Sequence, residues 1–134
     1  MGKEEKTIKI AVIEDETDLS DTIKMRLESE GFSVVQAFDG ISGLELIKKE
    51  KPDLVILDIM MPRMDGRDTI KNLKSDPGTK NIPVIMLTAL GEQFNRIEGL
   101  GLGAYEYITK PFDAYQLIRQ INRLLEKRGK GEVS

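Results

Sequence analysis

Acidic, hydroxyl and lysine side chains stand where the apolar segments of this sequence end. The segment ends carry Glu14 with Asp15, then Asp58, Thr88 and Lys110. Carboxylates crowded at one place repel each other and raise each other's pKa unless a cation lies between them. Mg²⁺ prefers oxygen ligands, and a lysine ammonium can pair with a phosphate oxygen. The set therefore indicates a phosphoryl-transfer site with Asp58 as the nucleophile.

The residue types that are missing narrow the chemistry further. The 134-residue sequence contains no cysteine and no histidine, which excludes disulfides, thiol nucleophiles, histidine metal ligands and Ser-His catalysis. Any metal must be bound by oxygen, which favours a hard ion such as Mg²⁺. The formal net charge of −3 and the lack of a Lys/Arg-rich run give no reason to expect a nucleic-acid surface.

Length and patterning predict one domain with short polar ends. We expect a charged extension at 1–7, a single domain over 8–128 and a short polar tail at 129–134. The extension lacks the apolar core of a signal peptide, and no apolar run approaches the ~20 residues that span a bilayer. We therefore expect a cytoplasmic protein without a membrane partner.

Strand-like and helix-like segments alternate five times along the chain. Short apolar runs predict strands, and apolar residues three and four apart predict the helices between them. The expected strands are 8–13, 33–37, 54–57, 83–88 and 105–109. Helices are expected before Gly31 and before Pro52, then at about 66–75, 91–101 and 113–128. This alternation is typical of a parallel sheet with helices on both faces.

The strand order follows from which strands are apolar throughout. The first, third and fourth strands are nearly all apolar and suit central positions, whereas Gln36 and Glu106 suit edge strands. Right-handed crossovers between near neighbours then give the order 2-1-3-4-5 of an α/β, (βα)5 doubly wound, flavodoxin-like fold. Its switch point lies between the first and third strands, which brings Glu14 and Asp15 beside Asp58.

Four ordered motifs resemble the receiver domain of two-component response regulators over about residues 7 to 128. They are Ala-Val-Ile-Glu-Asp-Glu at 11–16, Leu-Asp-Ile-Met-Met-Pro-Arg-Met-Asp-Gly at 57–66, Thr-Ala at 88–89 and Tyr-Ile-Thr-Lys-Pro-Phe at 107–112. The spacings of 30 residues from Asp58 to Thr88 and 52 to Lys110 also fit the family. On this resemblance the chain is a phosphorylation-activated signalling switch, not an enzyme that turns over an external metabolite.

The resemblance implies that Asp58 accepts a phosphoryl group from a histidine kinase or a phosphotransfer protein. It also implies that Mg²⁺ is bound by Asp15, Asp58 and the backbone carbonyl of Met60, with Glu14 as a direct or water-mediated ligand. The acidic pair at 14–15 is Glu-Asp where many members have Asp-Asp, so the manner of the Glu14 contact stays open.

The resemblance assigns further roles around the phosphoryl group. Lys110 would pair with the group, and the backbone N–H of Ala89 would also reach it. The Lys110–Pro111 peptide bond would be cis. The downstream partner, whether a separate protein or a fused output domain, does not follow from the motifs.

A conformational switch is implied beside the fourth strand. Thr88 would move to hydrogen-bond the phosphate and Tyr107 would swing inward, which would change the surface of the 91–101 helix, the fifth strand and the last helix. From the residues alone, Thr88 could instead satisfy a backbone group and Tyr107 could be plain packing. Many DNA-binding members carry Asp-Asp where this chain has Tyr105 and Glu106, and their dimer through the fourth and fifth helices is not implied here.

Other interpretations remain open on the residues. Asp58 could simply cap the helix that follows it. A Mg²⁺ phosphatase of the haloacid dehalogenase type requires a second carboxylate two residues after its aspartyl nucleophile, where this sequence has Met60. A pseudo-receiver, which binds partners without being phosphorylated, is expected to have lost the aspartate, the acidic pair or the lysine, and all of these are present.

Two apolar residues bear on how long a phosphoryl group would survive. Met60 and Leu90 lie two residues after Asp58 and Thr88, where they are expected to flank the path of the hydrolytic water. Neither side chain can hydrogen-bond and orient that water, and positioning the nucleophile is a large part of catalysis of phosphoryl transfer. The sequence therefore predicts a comparatively long-lived phosphoryl group, unless both side chains merely pack.

Overall fold

The structure, a computed structural model, describes residues 7–61, 64–89, 101 and 103–129. The described strands are β1 (Lys9–Ile13), β2 (Ser33–Ala37), β3 (Leu54–Asp58), β4 (Val84–Ala89) and β5 (Glu106–Lys110). The described helices are α1 (Thr17–Ser29), α2 (Gly40–Glu50), α3 (Gly66–Ser75) and α4 (Ala114–Gly129). The helix predicted over 91–101 lies outside the described residues except for Gly101. None of the helices in the described part of the chain is long and apolar enough to cross a membrane.

All five strands are parallel and lie in the order β2-β1-β3-β4-β5. This confirms the predicted order and the doubly wound, flavodoxin-like fold. Gln36 on β2 and Glu106 on β5 are half-buried at the two edges of the sheet, as their polarity predicted. Every residue of β3 is buried, because this strand lies in the middle of the sheet with helices on both faces.

Alternate residues of each strand enter two separate core clusters. Ile10 and Val12 of β1 pack with residues of α1 and α4, whereas Ala11 and Ile13 pack with residues of α2 and α3. The period of two follows from the pleat, which points successive side chains to opposite faces. Each fully buried aliphatic side chain contributes about 1.5–3 kcal/mol relative to exposure. The two clusters together make the sheet a rigid support for the groups at its end.

Aspartates begin two of the helices that follow the strands. The side chain of Asp39 accepts a hydrogen bond from the Ser42 N–H at 2.8 Å and caps α2. Asp65 accepts from the Arg67 N–H at 2.8 Å and caps α3. Such caps each stabilise a helix by about 1 kcal/mol. Both caps lie at the carboxyl-end edge of the sheet, where they fix the loops after β2 and β3.

Candidate functional site

Three ionisable groups meet where the parallel strands end. Glu14 directly follows β1, Asp58 is the last residue of β3, and Lys110 is the last residue of β5. The period of two that places Ile56 and Ile108 under α1 and α4 also directs Asp58 and Lys110 toward that face. The carboxyl ends of all strands in a parallel sheet lie at the same edge, which is where such sheets bind ligands.

Lys110 forms ion pairs with both buried carboxylates. Its Nζ lies 3.2 Å from Glu14 Oε1 and 3.3 Å from Asp58 Oδ1. Glu14 is fully buried and Asp58 is 3% exposed, whereas the Lys110 side chain is 22% exposed. Glu14 Oε2 also accepts a hydrogen bond from the Glu16 N–H at 3.1 Å. One ammonium thus forms ion pairs with two carboxylates that are almost completely buried.

Burial and mutual repulsion shift the pKa values of this cluster. Burial, and then the nearby charge of Glu14, raise the pKa of Asp58 to about 7 in spite of Lys110. Burial is also the main cause that raises the pKa of Glu14. Burial alone would lower the pKa of Lys110, but the two carboxylates outweigh it and raise that pKa overall. The cluster therefore holds more negative charge than Lys110 alone can stabilise.

The carboxylates fit a divalent cation. Glu14, Asp15 and Asp58 each place one oxygen so that all three oxygens lie within 4.8 Å of one another. With Lys110, the formal charge of the cluster is −2, which one Mg²⁺ would neutralise. Glu14 Oε1 is buried and, within the described part of the chain, accepts no well-directed hydrogen bond, so Lys110 contacts it as an ion pair only. Asp15 is exposed and can bind an ion from the solvent side.

The backbone behind Asp58 is held by Gly66. The Gly66 N–H donates to the Ile59 carbonyl at 2.7 Å, and the Ile59 N–H donates to the Leu87 carbonyl at 3.0 Å. A Cβ at Gly66 would lie only 2.6 Å from the Asp58 carbonyl oxygen. The sequence predicted Gly66 merely as the residue that opens α3, and nothing in the pattern reveals this packing. Glycine at this position lets the loop after β3 return close to the strand end.

Thr88 and Tyr107 lie on the neighbouring strands β4 and β5. Thr88 is buried in β4, two residues after Met86, and Tyr107 pairs with Met86 across the β4–β5 ladder. Tyr107 is half-buried against the core cluster under α2 and α3. The pleat therefore places Thr88 and Tyr107 on the same face of the sheet.

The remaining predicted site residues that the structure describes lie at or near the strand ends. Ala89 is paired with Lys110 in the sheet, and the Lys110–Pro111 peptide bond is cis. Met60 follows β3 closely, and its side chain is 59% exposed. Leu90 lies outside the described residues. The alternative that Asp58 caps a helix is wrong, because Asp58 ends β3 while Asp65 caps α3.

Comparison with known proteins agrees with this geometry. The family model of the response regulator receiver domain matches residues 10–122. The DNA-binding dual master transcriptional regulator RpaA of Synechocystis sp. is 41% identical over 119 residues, which make up 89% of this chain and 49% of RpaA. The chain thus spans about half the length of the first curated relatives that it matches.

Solved structures show the same fold. The receiver domain of Francisella response regulator 1452 has a TM-score of 0.83 and 37% identity, and the match covers 91% of this chain and 99% of that one. The receiver domain of the sensor histidine kinase PA1611 from Pseudomonas aeruginosa has a TM-score of 0.80 and 27% identity, with 88% and 97% covered. That structure has a magnesium ion coordinated in its active-site cleft.

Proposed function

This chain belongs to the response regulator receiver domain family, and on that premise we propose that it is a signalling switch in which Asp58 accepts a phosphoryl group. The observation that carries the proposal is the buried contact of Asp58 with Lys110 beside two further acidic residues, Glu14 and Asp15. An aspartyl nucleophile requires a carboxylate beside a fixed cation and beside acidic groups that can bind a divalent ion. Asp58 meets this requirement at the end of its strand. The proposed switch extends over 8–128.

The phosphoryl donor is proposed to be a histidine kinase or a phosphotransfer protein. These 134 residues contain no histidine, so they cannot themselves supply the phosphohistidine. An oxygen of the Asp58 carboxylate attacks the phosphorus, the P–N bond of the donor breaks, and the donor imidazole leaves with the electron pair and takes up a proton from solvent. The product is an aspartyl phosphate on this chain and an unmodified histidine on the donor. No external metabolite is consumed, which makes the chain a regulator.

Mg²⁺ is the proposed cofactor of this step. Glu14, Asp15, Asp58 and the backbone carbonyl of Met60 would hold the ion, whose charge would offset that of the carboxylates and the incoming phosphate. Lys110 would keep its position beside Asp58 and pair with a phosphoryl oxygen, and the Ala89 N–H would donate to another. Asp58 must be ionised to attack, and a cation beside it favours the ionised form.

The two neighbouring acidic residues Asp15 and Glu16 should differ sharply in their effect on Mg²⁺ affinity. Asp15 belongs to the carboxylate cluster, whereas Glu16 is exposed and makes its contact with Glu14 through its backbone N–H. We expect Asp15→Asn to weaken Mg²⁺ binding by about tenfold or more and Glu16→Gln to leave it within about twofold. Isothermal titration calorimetry would measure both constants. Equal losses would show that the wrong carboxylates have been assigned to the ion.

Thr88 is proposed to couple phosphorylation to the surface around Tyr107. In Thr88→Ala we expect the phosphoryl group still to be accepted, because attack needs Asp58 and the metal but not the hydroxyl. The hydrogen bond from Thr88 to the phosphate would be missing, so the inward swing of Tyr107 should be lost. Hydrogen exchange over 91–107 should respond to phosphorylation in wild type and respond far less in the variant.

Thr109→Ala is the matched control for this experiment. Thr109 is the ladder partner of Thr88 on β5 and is exposed. It should leave the phosphorylation-dependent exchange as in wild type. A full response in Thr88→Ala would show that another residue does the coupling.

The proposed lifetime of the phosphoryl group depends on the exposed Met60 side chain. An asparagine there could hydrogen-bond and orient a water for attack on phosphorus, so Met60→Asn should speed loss of phosphate several-fold. Met25→Asn, which changes an equally exposed methionine on α1, serves as the control and should not change the rate. Decay would be followed by intact mass after removal of the donor. Unchanged decay in Met60→Asn would refute this role; Leu90→Glu or Leu90→Gln extends the test to the second expected position.

Intact mass spectrometry tests the proposed function. The protein is incubated with Mg²⁺ and a small-molecule phosphodonor such as acetyl phosphate, with an EDTA sample beside it. We expect the gain of one phosphoryl group, and none with EDTA. A folded, Mg²⁺-binding protein that never gains the group would instead favour the pseudo-receiver, a binding module without phosphorylation.

The output of the switch is proposed to act through another protein or a fused domain. RpaA is named as a DNA-binding regulator, and this chain matches only 49% of its length, so DNA contact is not proposed for these residues. We propose that the reaction takes place in the cytoplasm. We also propose that this chain makes no membrane contact. We propose that the partner reads the surface of β5, α4 and the 91–101 segment.

A further inference from the structure

The first turn of α2 closes tightly on the loop that follows Asp58. Gly40, the first residue of α2, is buried. A Cβ at Gly40 would overlap the Met64 carbonyl oxygen and would lie 2.6 Å from Thr69 Oγ1. Cβ atoms essentially never approach other heavy atoms closer than 3.0 Å. Every residue other than glycine would therefore push α2 and the loop apart.

The contacted residues belong to the end of the β3–α3 loop. Thr69 is fully buried, and its hydroxyl and its N–H both donate to the Asp65 carbonyl, at 2.9 and 3.0 Å. Asp65 in turn caps α3. These hydrogen bonds join Thr69 to Asp65, and Met64 precedes Asp65 in the chain. A displacement at Gly40 therefore moves the three residues together and not a single side chain.

The same unit abuts the backbone of the phosphoryl-acceptor strand. Gly66 follows Asp65, donates to the Ile59 carbonyl at 2.7 Å and leaves no room for a Cβ beside the Asp58 carbonyl. Residue 60, whose carbonyl is a proposed Mg²⁺ ligand, is the next residue after Ile59. Movement of 64–66 would thus reach the backbone of 58–60 through direct contacts.

We propose that Gly40 is a positioning residue for the Mg²⁺ site. It touches neither the ion nor Asp58, and acts by letting α2 hold the β3–α3 loop against the end of β3. The inference rests on the proposed function, since it concerns the ion that this function uses. Groups that orient metal ligands without binding the metal commonly change affinity by 10–100-fold.

Gly40→Ala tests the proposal with Gly43→Ala as its matched control. Gly43 lies on the same helix and is also tightly packed, since a Cβ there would lie 2.8 Å from Ile13 Cγ2, but the three atoms nearest to that Cβ all belong to the Ile13 side chain. We expect Gly40→Ala to weaken Mg²⁺ binding about tenfold and Gly43→Ala to change it less than about twofold. In EDTA, the amide of Gly66 should exchange faster in Gly40→Ala than in Gly43→Ala or wild type.

Each outcome decides the proposal. Wild-type affinity in Gly40→Ala, or the same loss in both variants, would overturn it. If Gly40→Ala does not fold, Thr69→Ala removes the other side of the contact and should weaken Mg²⁺ binding in the same direction; unchanged binding there would also overturn it. If wild type itself neither binds Mg²⁺ nor accepts a phosphoryl group, the proposed function fails, and Gly66 exchange still shows whether Gly40 holds the loop.

Discussion

Replacing Lys110 by methionine should destabilise the Mg²⁺-free protein by about 3 kcal/mol at neutral pH. Lys110 is the cation that Glu14 and Asp58 share, at 3.2 and 3.3 Å, and both carboxylates are almost fully buried. Without it, the folded protein must bury unpaired charge or take up protons. The loss should therefore be larger at pH 8 than at pH 5, because protonation relieves the repulsion at the lower pH. Urea unfolding in EDTA at the two pH values measures it.

A second lysine provides the control for this substitution. Lys9 Nζ lies 2.8 Å from Glu50 Oε1, which is closer than Lys110 Nζ lies to either of its carboxylates. The side chains of Lys9 and Glu50, however, are both partly exposed. Lys9→Met should destabilise the protein far less than Lys110→Met, since water replaces the lost partner. Mg²⁺ should reduce the difference in stability between Lys110→Met and wild type, whereas it should stabilise Lys9→Met as much as it stabilises wild type. Similar losses of stability in the two variants would mean that Lys110 does not offset the repulsion between the buried carboxylates of Glu14 and Asp58.

Asp58→Asn should have the opposite effect and stabilise the Mg²⁺-free protein. The pKa of Asp58 is raised to about 7 from an ordinary value of 3.8, so ionisation is less favourable in the folded state than in the unfolded one. Stability is therefore fully present below about pH 4 and is lost as the pH rises through about 7. Asparagine removes this loss. We expect a gain on the order of a few kcal/mol at pH 8 that vanishes near pH 4.

The control for Asp58→Asn is Asp18→Asn, which makes the same change of net charge on an exposed residue of α1. It should show no such pH dependence. Saturating Mg²⁺ should reverse the order, because wild type gains binding energy and Asp58→Asn loses a ligand. A destabilised Asp58→Asn in EDTA at pH 8 would contradict the account of a repulsive carboxylate cluster.

Much of the fold follows from the apolar pattern. The run at 54–57 has no polar residue, which predicted a strand buried on both faces, and β3 is that strand. Gln36 and Glu106 marked the edge strands, because an edge leaves space for a polar side chain. Strand ends differ by at most one residue from the predicted bounds, since β3, β4 and β5 each extend one residue further, to Asp58, Ala89 and Lys110. Hydrogen bonds at a strand end depend on the neighbouring strand, which the local sequence does not encode.

The site was predictable as a set of residues and not as a set of contacts. Parallel strands deliver Glu14, Asp58 and Lys110 to one edge whatever the loops do. That Glu14 is fully buried and Asp15 exposed depends on how the chain turns out of β1, which spacing alone could not indicate. The close approaches at Gly40 and Gly66 could not be predicted either, because they join segments distant in sequence and glycine has no side chain to reveal its neighbours.

Mapping the phosphorylated residue is the measurement that tests the central claim most directly. After incubation with Mg²⁺ and acetyl phosphate, borohydride reduction converts an acyl phosphate of aspartate to homoserine, which peptide mass spectrometry locates. We predict homoserine at position 58 in wild type, none in the EDTA sample, and none at any residue of Asp58→Asn. Homoserine at another aspartate, or none at all in folded wild-type protein that binds Mg²⁺, would contradict the assignment of Asp58 as the phosphoryl acceptor.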